Sequence, residues 1–328
     1  MPTTVTKSIG TTGRDYSDWQ TFFDAMPASL VAVDEAWVGE GYNDSEFALG
    51  TVLTLSGHTT DATRNITLTC GAGQSFRDNA NKLTNALRYN ASNGVAIRNN
   101  VTQYFPTLEI QTDFVTLTGL QIQGHPTSRP DNKAILNDQA AGSCVMQDCI
   151  LESWSGGLEA VRWRSGTIRN CLIVQRASDA NSNGLGFGYP GTIVCVNNTI
   201  VCPSDLTAGE SAVTAANGTT TITNCAMFGF AATANVDSRF TGSNNAADVT
   251  IGFGSSNQSG KTYANQFQDT ADATRDFRLK TGADCIDNGV TDTTNGTPDI
   301  VGTARPQGSA YDIGAWELAS SLRKFILH

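Results

Sequence analysis

Short runs in which apolar and polar residues alternate recur along most of the chain, at 66–70, 108–111, 115–122, 144–151, 167–174, 192–201 and 219–227. A period of two sends successive side chains to opposite faces, as in a strand with one buried face. Four stretches, 145–150, 167–172, 194–200 and 221–226, share a finer pattern. In each, the alternation runs into a polar turn former, then a small residue and another apolar one. Aligning Asp148, Asn170, Asn198 and Asn224 gives intervals of 22, 28 and 26 residues. These fall inside the window of roughly 20–50 residues that marks solenoids.

A repeat of this length, with several short strands, Gly and Asn corners and no helical periodicity between them, predicts an all-β parallel β-helix. Coils stacked at about 4.8 Å, about nine of them between residues 46 and 270, make a rod on the order of 43 Å long. The uneven interval predicts loops of different length on one side, where binding surfaces are built. A solenoid must also cover its open ends. Trp19, Phe22, Phe23 and Met26 recur at helical spacing, preceded by Ser17 and Asp18 as N-cap candidates and stopped by Pro27. The expected division is therefore a capping segment with an amphipathic helix at 1–45, the β-helix at 46–270, and a loop-rich cap and tail at 271–328.

Composition narrows the function. Only 16% of the 328 residues are charged, 32 are glycine, and the net charge is −10. This balance excludes a helical bundle and argues against nucleic-acid binding, which needs Lys and Arg patches. No apolar run reaches the ~18 residues of a membrane-spanning helix, and residues 1–9 carry neither the basic nor the apolar region of a secretory signal. No membrane partner and no signal peptide are expected.

The three histidines, His58, His125 and His328, are scattered, so no metal site, His-based nucleophilic centre or cofactor is predicted. Of the eight cysteines, Cys149, Cys171 and Cys225 share one repeat position. In-register neighbours there have parallel Cβ vectors about 4.8 Å apart, too far for a disulfide, and are expected as stacked free thiols. Cys144, Cys195, Cys202 and Cys285 sit near strand ends and are expected to be more exposed. The densest surface cluster is Trp154, Glu159, Arg162, Trp163 and Arg164 around Gly156 and Gly157. Alternation sends Arg162 and Arg164 to one face and Trp163 to the other. Trp154, Glu159, Arg162 and Arg164 are the candidate glycan contacts, and no catalytic residue is assigned. Beyond the last cap residues, Leu322, Phe325 and Ile326 form an apolar tail suited to docking.

The strings Phe277-Arg278-Leu279, Cys285-Ile286-Asp287-Asn288-Gly289, the run at 299–306 and Asp312-Ile313-Gly314-Ala315-Trp316-Glu317 resemble the closing segment of the right-handed parallel β-helix, pectate-lyase-like superfamily. Residues 13–19 and 38–42 are similar to its opening helix and first strand. The resemblance is to bacteriophage β-helix virion proteins in particular. It implies a non-enzymatic structural component of a virion, either capsid decoration or tail fibre or spike, made in the host cytoplasm. The implied partners are further copies of the chain, with a homotrimer favoured, and other virion proteins such as the major capsid protein. The alternative it implies is a polysaccharide-binding or polysaccharide-degrading lyase or hydrolase, with a cell-surface polysaccharide as ligand.

Overall fold

The computed structural model describes residues 1–100, 105–126, 131–137, 139, 143–156, 158–177, 181–187, 193–215, 219–292, 294 and 298–323. Three parallel sheets, of nine, eight and seven strands, wind around one core as a right-handed β-helix. One coil shows the plan. Val145–Gln147 lies in the first sheet, Ile150–Ser153 in the second and Glu159–Trp163 in the third, before Gly166–Arg169 returns to the first sheet one coil on.

In-register pairing turns alternation into stacked rows. Along the first sheet Leu68, Leu117, Met146, Ile168, Cys195 and Ile222 follow one another, all buried. In the third sheet Leu55, Ile110, Asn137, Trp163, Phe187 and Ala215 do the same. Trp163 is thus a core residue, as its parity predicts. The last five first-sheet strands, from Val145–Gln147 to Phe240–Ser243, pass to the second sheet through a two-residue turn whose first residue is left-handed: Asp148, Asn170, Asn197, Asn224 and Asn244 have φ of 51–56°. Asp and Asn tolerate that region because their short polar side chains bond locally.

The sequence alignment therefore slips by one residue in a single coil, where Asn197 takes the turn and Asn198 the inward position. Two adjacent asparagines satisfy the same pattern, and only the pairing of Thr199 with Leu172 separates them. The slip also interrupts the thiol stack. Cys149 neighbours Cys171, but Asn198 stands between Cys171 and Cys225, and Cys225 meets Cys195 at 3.8 Å. All eight cysteines are free. Cys144, Cys195, Cys202 and Cys285 are buried, against expectation: the first three point into the core, and Cys285 is covered where the C-terminal segment packs on the second sheet.

The ladder begins earlier than residue 46. Thr3–Ile9 and Glu35–Gly41 already pair in the first sheet, so the capping helix is an excursion between two coils. That helix, Trp19–Ala25, is capped by Asp18, whose side chain accepts from the Thr21 N–H, and it buries Trp19, Phe22 and Phe23 across the open core. Among the described residues there are seven complete three-strand coils rather than nine, because long loops occupy part of the chain length. At the far end Phe253 packs on Phe240 and closes the core. The remaining C-terminal segment turns back along the rod. Phe277, Cys285, Ile313 and Trp316 cluster with Ile150, Leu172, Val174, Val201 and Phe228 on the outer side of the second sheet. Asn224 ties it down, donating to the Val290 carbonyl and accepting the Val290 N–H, both at 2.7–2.8 Å. A sheet covered on both faces needs uninterrupted apolar runs, and Leu172-Ile173-Val174 supplies one.

Candidate functional site

The outward row of the third sheet reads Thr54, Glu109, Leu136, Arg162, Gly186 and Thr214. Arg162, half-exposed, donates through Nη2 to both oxygens of Glu159 at 2.9 and 3.2 Å. Gly186 makes this pair possible. A Cβ on Gly186 would lie 2.3 Å from Cγ of Glu159, so the bare backbone lets the glutamate lie across the neighbouring coil. The Nε of Arg162 is buried without a partner among the described residues.

One coil back, the pairing of Ile135 with Val161 brings Lys133 level with Glu159. Lys133 is only 1% exposed, and its Nζ meets Oδ1 of Asp131 at 2.5 Å. Asp131, left-handed at φ 66°, has a half-exposed side chain. Burial pulls the Lys133 pKa below the ordinary lysine range, against the opposing effects of Asp131 and Glu159 and with a further lowering by Arg162. Lys133, Asp131, Glu159 and Arg162 thus form one cluster of two cations and two carboxylates. Phe105, exposed by 43%, leads into the strand Leu108–Ile110 at the level of Asn132. It adds an apolar ring at the border of this patch.

Of the glycan contacts expected from sequence, Glu159 and Arg162 come together in this cluster. Arg164 is half-buried just past Trp163, the last residue of that strand. Trp154 is drawn into a different assembly: the Arg176 guanidinium lies 4.2 Å from its ring. Arg176 in turn pairs with Asp272 and Glu152, and the fully buried Glu152 pairs with Arg275 at 2.5 Å. This network fastens the second sheet to the C-terminal segment. Gly157 lies outside the described residues, as do Phe325 and Ile326 of the tail. Leu322, 42% exposed, borders a cleft with Leu83, Arg278, Trp316 and Leu318.

Sequence reasoning missed Lys133 and Asp131. The signal was present, since extending the repeat alignment to the third sheet sets residue 133 beside 159. Among the described residues no group of three or more His, Cys, Asp or Glu is arranged to hold a metal ion. His58 is occupied structurally, with Nδ1 3.0 Å from the Pro27 carbonyl oxygen.

Fold and cluster together define a three-sheet parallel β-helix with a buried lysine and a partly exposed Glu–Arg pair on its third sheet. No protein-family profile matches the sequence, and no curated protein matches it. Among solved structures, the crystal structure of pectate lyase Pel9A is similar with a TM-score of 0.48 and 14% sequence identity, over 95% of this chain and 97% of that chain.

Proposed function

We propose that the protein binds a neutral, hydroxyl-rich polysaccharide along the outer face of the third sheet, without cleaving it. The carrying observation is the Lys133, Asp131, Glu159 and Arg162 cluster. Burying an ammonium is costly, and a lysine whose pKa burial lowers, packed under a Glu–Arg pair, marks a candidate functional site. Donors and acceptors alternate there, which suits hydroxyl groups that both give and accept hydrogen bonds. The four charges cancel, and the chain carries −10 overall, so neither attracts a polyanion. Phe105 offers a ring for the apolar face of a sugar.

The placement of Lys133 disfavours cleavage by lysine-based elimination. At 1% exposure, with its ammonium held by Asp131, it is out of reach as a base for a bound sugar. A particle component remains compatible with a rigid rod carrying such a surface, but its expected docking tail is described only at Leu322.

Affinity electrophoresis against neutral and acidic polysaccharides tests the reading. Retardation by a neutral polymer, weakened about tenfold in Arg162→Ala, is the expected result. Retardation only by acidic polymers, release of new sugar ends, or an unaffected Arg162→Ala chain would each reject it.

A further inference from the structure

Two excursions from the rod meet on the side away from the third sheet. One is the 71–95 loop, which takes the place of the short turn between Ile66–Cys70 and Ala96–Asn99. The other is the turn at 299–302 of the C-terminal segment, closed by the Gly302 N–H donating to the Asp299 carbonyl at 3.0 Å. An open cleft of about 280 Å³ lies between them, bordered by Arg77, Lys82, Ser75, Asp78 and Gly302.

The charges in this cleft are unevenly satisfied. Arg77 donates through Nη1 to Asp148 at 2.7 Å and through Nη2 to the Asp299 carbonyl at 3.3 Å, yet its buried Nε has no partner among the described residues. The ammonium of Lys82, which borders the cleft, has no partner among them either. Asp78 accepts the Ser75 N–H at 3.2 Å, which engages it with the loop's own backbone. Gly302, at φ +86°, lies beside both cations. A Cβ on this residue would sit 3.5 Å from Nζ of Lys82 and 3.9 Å from Nη2 of Arg77, with no other atom outside the adjoining residues within 4 Å. Two cationic groups that both approach Gly302 at the edge of the cleft, one of them unpartnered among the described residues, present donors to an oxyanion lying in the cleft itself.

We propose that this cleft is a binding site for a small oxyanion, held between Lys82 and Arg77 above Gly302. Its volume falls just below the range of roughly 300–1,000 Å³ found for drug-sized ligands, which suits a phosphate group or one acidic sugar unit. The two sources share the same chemistry, a compact group with two or three charged oxygens. Asp148 keeps Arg77 in place from the opposite side, and Ser75 fixes the loop by donating to the Gly119 carbonyl at 2.9 Å.

Isothermal titration calorimetry on the full chain, with inorganic phosphate and separately with glucuronate, tests the site. A one-to-one complex with Kd of about 1 mM or tighter for at least one probe is expected. Lys82→Ala should weaken it about tenfold, Lys82→Arg should retain it, and Lys261→Ala, on a remote ion pair, should leave it unchanged. Because Lys82 has no partner to lose, the urea midpoint of Lys82→Ala should match that of the parent, which separates loss of binding from loss of fold. Phosphate without glucuronate makes the ligand a phosphate group; glucuronate binding makes carboxylates acceptable. No heat for either at about 10 mM, or equal binding by Lys82→Ala, overturns the proposal.

Discussion

Two corners of the same coil are built on opposite plans. From Asp148 onward the corner between the first and second sheets repeats with little change: a left-handed Asp or Asn, then one inward residue, which is Cys149, Cys171, Asn198, Cys225 or Asn245. Where that residue is Asn it knits coils together. Asn198 accepts the Cys171 N–H and donates to the Ile168 carbonyl, both at 2.9 Å, and Asn245 does the same for Cys225 and Ile222. The corner between the second and third sheets varies freely, spanning 124–134 in one coil and 154–158 in the next. Lys133 and Asp131 sit in the longer of these. Uniformity serves the backbone, whose buried amides need the same partner in every coil. Variation leaves room for charged groups that a tightly repeating corner would exclude.

The largest test of this contrast is Asn198→Leu. The substitution keeps the number and branching of the side-chain heavy atoms and strands two buried backbone groups, so a loss of about 2–5 kcal/mol is expected in urea denaturation. A loss below about 1 kcal/mol would mean that the uniform corner does not depend on its amides. Next comes pH. Burial, the leading effect, raises the Asp148 carboxyl to about 6 and Glu317 to about 7, and it raises Asp299 as well. A carboxyl held above its unfolded value favours the folded chain while protonated, and that advantage fades as pH rises from near 4 through the folded value. The protein should therefore unfold at lower urea at pH 8 than at pH 5, by on the order of 2–3 kcal/mol, and Asp148→Asn should flatten part of the slope. The smallest effect is expected in the variable corner. Lys133→Met removes a buried ammonium and leaves Asp131 half-exposed to water, so stability should change by less than about 1 kcal/mol while polysaccharide binding falls. A loss of several kcal/mol would make Lys133 part of the scaffold and weaken the contrast.

Most of the scaffold was legible because parallel coils repeat the same local requirement. Asp148, Asn170 and Asn224 stand out as turn formers, and the helical spacing of Trp19, Phe22 and Phe23 marks the end cap. Asn197 and Asn198 show the limit: two identical residues in a row leave the register open by one. Cys195 could have been placed, since it falls in the row of Ile168 and Ile222, but its closeness to a strand end suggested exposure instead. The site was half legible. Glu159 and Arg162 lie close in sequence, whereas Lys133 joins them only through pairing between coils. The course of the C-terminal segment was hidden for a similar reason, because its partners lie more than a hundred positions away, as with Ala315 and Thr199.

That segment alters how the molecule comes apart. In a simple solenoid each coil touches only its neighbours, so unfolding can start at an end and travel inward one coil at a time. Here residues from 277 to 316 bind coils from Ile150 to Phe228, and Asp299 reaches Arg77 in the loop following Ile66–Cys70. Removing the last coils would also strip the outer cover from those in the middle, so fraying cannot proceed in small independent steps. Unfolding of the middle coils is therefore expected to be coupled to release of the C-terminal segment, rather than to run coil by coil from an end.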